Sequence, residues 1–70
     1  MYFVIEIQKR TDGEWYETVW HFAELTRAES KYHAILSEAS ISDIPVNGAI
    51  LFDDKGVYYM RQVYDRTVAE

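Results

Sequence analysis

The chain has no cysteine, so no disulfide can staple it. A structural zinc site is nearly excluded as well. Such sites take four Cys or His ligands, and here there are His21, His33 and two methionines. Proline is scarce, with Pro45 alone, and glycine is limited to Gly13, Gly48 and Gly56. All four stand where secondary structure should change, and nothing reads as a linker, a repeat or a low-complexity stretch. Basic residues are few: 7 Lys and Arg against 12 Asp and Glu, a net charge of -5. That balance opposes diffuse binding to a nucleic-acid backbone and to an anionic membrane surface. No apolar run approaches the roughly 20 residues of a membrane span. Met1 is followed at once by a strand-like segment without a basic leader, so a cytoplasmic location is expected.

What the chain does have is apolar and aromatic mass. Of its 70 residues 49% are hydrophobic and 16% aromatic. A chain of this length makes one domain with a small core. Buried area and lost conformational entropy nearly cancel at this size. With disulfides and metal set aside, self-association is the remaining aid to stability.

The pattern reads strand–strand–helix–strand–strand, an α+β fold with a four-stranded, mainly antiparallel sheet and one helix on one face. Residues 2–22 form a β-hairpin. Tyr2 to Arg10 alternates Phe3, Ile5 and Ile7 on one face with Tyr2, Val4, Glu6 and Gln8 on the other. Thr11-Asp12-Gly13 supplies turn chemistry before a return strand from Glu14 to Phe22. A helix is expected over 26–40. Thr26-Arg27-Ala28-Glu29 has the form of a capping box, and Ala28, Tyr32, Ile35, Leu36 and Ala39 share one helical face. Pro45 biases Ile44 to an extended conformation. Residues 46–64 form a second hairpin, turning at Asp53-Asp54-Lys55-Gly56, and 65–70 read as a tail. One helix covers one face only. The third and fourth strands are apolar on both faces and the second is aromatic on both, so a second cover is needed. The expected cover is another copy: a homodimer, or an assembly of dimers.

No catalytic or metal-binding constellation emerges. Glu29, His33 and Ser37 share a helix face, but stacked on a solvated helix they lack oxyanion donors and a pocket. Asp53-Asp54-Lys55-Gly56 lacks the oxygen ligands a calcium loop spreads over twelve residues, and reads as a polar turn. No glycine-rich phosphate loop is present. The candidates for binding are cations beside aromatics. Arg61, flanked in the fourth strand by Tyr59 and Val63 on the same face, can hold a phosphate or carboxylate bidentately while an aromatic ring stacks on a base. Its structural alternative is a cross-strand pair with Glu6 or Glu17. Arg27 and Lys31 lie near the helix N-terminus, where the dipole favours anions. His21, next to Trp20 at the end of the second strand, is a further ligand contact or an interface histidine. The set Arg61, Tyr59, Arg27, Lys31, Trp20 and His21 therefore points to a small anionic ligand, with no cofactor. The acidic surplus permits a different partner, a basic groove on another protein.

Three segments carry a resemblance: Tyr2-Phe3-Val4-Ile5-Glu6-Ile7-Gln8, the run from Ala28 to Ser40 that includes Lys31-Tyr32-His33-Ala34-Ile35-Leu36, and Ile44-Pro45-Val46-Asn47-Gly48-Ala49-Ile50-Leu51-Phe52. In these the chain resembles a group of very short proteins of phages, prophages and mobile elements of Gram-positive bacteria. The resemblance implies context rather than chemistry: a non-structural accessory protein in a bacterial cytoplasm that acts against host defence. It would do so by sequestering a nucleotide-like signal or by inhibiting a host protein directly. A structural adaptor of the mobile element is the third expectation.

Overall fold

The computed structural model describes residues 1–66. The order is β1 (Tyr2–Lys9), β2 (Trp15–Phe22), α1 (Leu25–Ala39), β3 (Val46–Asp53) and β4 (Tyr58–Asp65). The strands form one sheet in the order β2-β1-β3-β4, with every neighbouring pair antiparallel. This is the expected α+β class with its two hairpins. β2 and β3 both run against β1 and are therefore parallel to each other. α1 is the crossover that such a connection requires.

The two hairpin turns use one device. Gly13 (φ 83°) and Gly56 (φ 84°) take the left-handed conformation that a side chain disfavours. In each turn an aspartate organises the loop. Asp12 Oδ1 accepts the Glu14 N–H at 2.9 Å, and Asp53 Oδ1 accepts the Lys55 and Val57 N–H groups at 2.9 and 3.0 Å. A tyrosine hydroxyl then donates to the other carboxylate oxygen, Tyr16 to Asp12 at 3.2 Å and Tyr59 to Asp53 at 2.8 Å.

The helix buries Ala28, Tyr32, Ile35 and Ala39, four of the five positions its periodicity selects, while Leu36 packs half-buried against the same core. Ala28, Tyr32 and Ile35 meet Val4, Ala49 and Leu51 of the two central strands. Small alanines on both sides let helix and sheet close together. Only Leu51 and Val4 are large side chains lost completely to solvent. The helix starts one residue earlier than expected and the capping box does not form. Glu24 occupies the N-cap with no side-chain cap bond, because Thr26 already lies in the first turn.

The far end of the helix is held from a distance. The Arg66 guanidinium donates through Nη2 to the Ala39 and Ser40 carbonyls at 3.0 and 3.1 Å, and through Nη1 to Asn47 Oδ1 at 3.4 Å. Asn47 is 2% exposed, so this contact gives a buried amide a partner. A cation at the helix C-terminus also matches the dipole. Residues 65–70 were expected to be a tail. Instead Asp65 closes β4 and Arg66 clamps the helix, because the last carbonyls of α1 need donors that its own turn lacks. Residues 67–70 lie outside the described residues.

Candidate functional site

The strand register sorts the sheet into two faces. On the helix side stand Val4, Trp20, Leu51 and Met60, a row running across all four strands. On the open side the rows carry different chemistry. One reads His21, Phe3, Phe52, Tyr58; the next Val19, Ile5, Ile50, Arg61; the next Glu17, Ile7, Gly48, Val63. Phe3 and Phe52 stack at 5.4 Å between ring centroids. Trp15, at 56% exposure, and Val19, at 52%, stand out along β2, and Tyr58 and Val63 along β4. No element of the described residues covers this face, which holds the larger apolar side chains of β1 and β3. Gly48 is the low point in it. A methyl group there would strike the Gln62 carbonyl oxygen and come within 2.7 Å of Val63 Cα, so β4 approaches too closely for any side chain.

The six positions singled out from the sequence do not form one site. Four line the seam where β2 meets the helix. Lys31 Nζ sits 4.1 Å from the centroid of the Trp20 ring, a close cation–π contact. Glu6, Ala34, Ile35 and Glu38 complete a groove of about 120 Å³ there. Beyond it His21 and Arg27, with Phe22, Ala23 and Glu24, line a wider one of about 370 Å³. The Arg27 Nε donates to Glu24 Oε1 at 3.0 Å, an exposed pair of small energetic weight. Both grooves are shallow and carry carboxylates beside their cations.

Arg61 and Tyr59 are on β4, at the opposite edge, and a register irregularity at Leu51/Phe52 separates them. The irregularity turns Tyr59 toward Tyr2, at 5.9 Å between centroids, and toward Asp53, while Arg61 stands on the open face opposite Ile50. The expected shared face of Arg61 and Tyr59 is thus corrected. The ring beside Arg61 is Tyr58, at 5.3 Å. The sequence held no signal for this, since alternation assumes a regular strand and a bulge adds one residue. Nor does Arg61 pair within the chain with Glu6 or Glu17. Glu6 belongs to the helix side, where it accepts from Gln8 at 3.4 Å, and Glu17 is on β2 at the far edge. Tyr59 serves the turn. Its hydrogen bond, with help from the Val57 and Lys55 N–H groups, holds the Asp53 carboxyl below its usual range, and the same bond pushes the Tyr59 hydroxyl up.

His33 and Ser37 are exposed on the helix, and His33 makes an edge contact with the Tyr32 ring at 5.3 Å. Among the described residues no three His, Asp or Glu side chains come together to hold a metal ion, and no helix is long and apolar enough to cross a membrane. Comparison with protein-family models, with curated proteins and with solved structures finds no match.

Proposed function

We propose that this chain is a small non-catalytic binding protein that works as a homo-oligomer, with the open sheet face closed by a second copy. The observation that supports it is the inversion of the two faces. The face without a cover carries Phe3, Ile5, Ile7, Ile50 and Phe52, while the helix side of β1 offers Val4 beside Glu6 and Gln8. Contiguous apolar surface of this kind on so small a domain marks an interaction site.

The ligand this reading favours is a small planar anion of nucleotide type, held along the seam of β2 and the helix. Lys31 and Arg27 supply charge there and Trp20 a stacking surface. Neither groove encloses a molecule of that size, and the Lys31–Trp20 groove lies on the helix side, away from the open face, so the reading calls for a further contact in an assembly of dimers to complete the site. Sequestration of a host signal, the context implied by the likeness to short phage proteins, is the form such binding would take.

Native mass spectrometry of protein freshly purified from bacterial cells tests both parts. A closed oligomer is expected, with added mass in the nucleotide range that Lys31→Ala removes while the subunit count stays unchanged. A monomer that gains no mass from a panel of nucleotides overturns the reading, and a monomer that retains one host protein replaces it with direct inhibition.

A further inference from the structure

The open face is nearly a grid of side chains, with Lys9 and Asp65 in its end row and one further charge at each edge. Glu17 stands on edge strand β2 and Arg61 on edge strand β4, one row apart along the strands. Both are exposed. Neither makes an ion pair among the described residues, and Arg61 contacts only the Tyr58 ring. Between them run the apolar residues of β1 and β3. In the rows of Ile5 and Ile7, an acid at one margin, a base at the other and apolar residues between describe a surface complementary to its own copy.

We infer that two copies pack open face to open face about a two-fold axis parallel to the strands, so that Glu17 of each protomer meets Arg61 of its partner. This rests on the homo-oligomer reading above and names the partner and its orientation. The geometry discriminates between the two ways of closing such a pair. An axis along the strands lays β2 over the partner's β4 and β1 over the partner's β3. Phe3 then faces Phe52, Ile5 faces Ile50, and Ile7 faces Gly48, beside the Val63 side chain that closes over it. Glu17 and Arg61 come to the same margin twice, once at each edge. They are offset by one row, about 7 Å along the strand, across sheets packed about 10 Å apart, a span that these two long side chains bridge. An axis across the strands lays β2 on β2 and β4 on β4. It leaves Glu17 and Arg61 at opposite margins, about 14 Å apart in projection, with no contact.

The extent of the surface is adequate. Four strands of eight residues present a face of about 500 Å², or about 1,000 Å² for the pair, which is near the lower limit for a specific interface. At that size the apolar centre supplies most of the affinity, and the paired charges set register and exclude the crossed alternative.

The test is a charge swap read by sedimentation equilibrium. Glu17→Arg and Arg61→Glu each place like charges at both margins. Each should weaken the dimer about tenfold at low salt, with less effect at 0.5 M NaCl. The double variant should return to within about twofold of the unsubstituted chain. Both sites are exposed, and circular dichroism confirms that each variant is folded. A double variant weakened as the product of its parents, or a set of three indistinguishable from the unsubstituted chain, overturns the strand-parallel pairing and leaves self-association standing. An unsubstituted chain that stays monomeric at every concentration overturns the homo-oligomer reading itself.

Discussion

The two faces of this sheet invert the usual division of labour. The covered face joins Ala28 of the helix and Ala49 of β3, which let the two layers approach closely, to larger side chains such as Leu51, Tyr32 and Ile35. On β1 and β3 the open face carries Phe3, Ile5, Ile7, Ile50 and Phe52. The covered face therefore holds one chain together, and the open face is the surface that the proposed self-association uses.

The largest effect expected from breaking this contrast is on the covered face. Leu51, at 0% exposure, sits at the centre of the core. Leu51→Ala should cost about 3 kcal/mol, as transfer and cavity terms add. Urea unfolding should show the loss equally at low and high protein concentration.

An open-face substitution should behave differently. Ile5→Thr keeps a β-branched residue in the strand, and Ile5 is already part-exposed. Dilute protein should lose less than about 1 kcal/mol. If the proposed dimer forms, the stabilisation expected on concentrating the unsubstituted chain should vanish in this variant, as mass action requires for an interface. Equal losses at all concentrations would assign Ile5 to the core and erase the contrast.

The smallest effect falls on neither face but on the second turn. A carboxyl whose folded pKa is lowered stabilises the fold above its unfolded value, and that contribution is lost as pH falls through the folded pKa. For Asp53 the window lies below the ordinary 3.8. Tyr59→Phe removes the first cause of the shift but leaves the Lys55 and Val57 N–H donors. The Asp53 titration followed by carboxyl NMR should move part of the way back toward 3.8, and the turn should loosen at a higher pH than in the unsubstituted chain. An unmoved titration would assign the shift to the backbone donors alone.

Much of the fold was legible in the pattern. Alternation in β1 and the 3.6-residue spacing of Ala28, Tyr32, Ile35 and Ala39 located strand and helix to within a residue or two. Asp-Gly and Lys-Gly located both turns, because a positive φ selects glycine. The candidate site was less legible. Lys31 and Trp20 do meet, across a seam that no local spacing encodes. Arg61 and Tyr59 do not share a face, because of an irregularity that alternation cannot register. The Arg66 clamp went unseen, since its carbonyl partners are 26 and 27 residues away in the chain.

The sequence by itself determined the element types and their approximate boundaries, since each depends on residues a few positions apart. The tertiary structure decided which face the helix takes. On hydrophobicity alone the Phe3, Ile5 and Ile7 side of β1 has the better claim. The helix instead joins two parallel strands that flank β1, and such crossovers are right-handed in nearly all proteins. The helix lies over Val4 and leaves the more apolar face of β1 open, so the crossover between the flanking strands, not local hydrophobicity, decided the face.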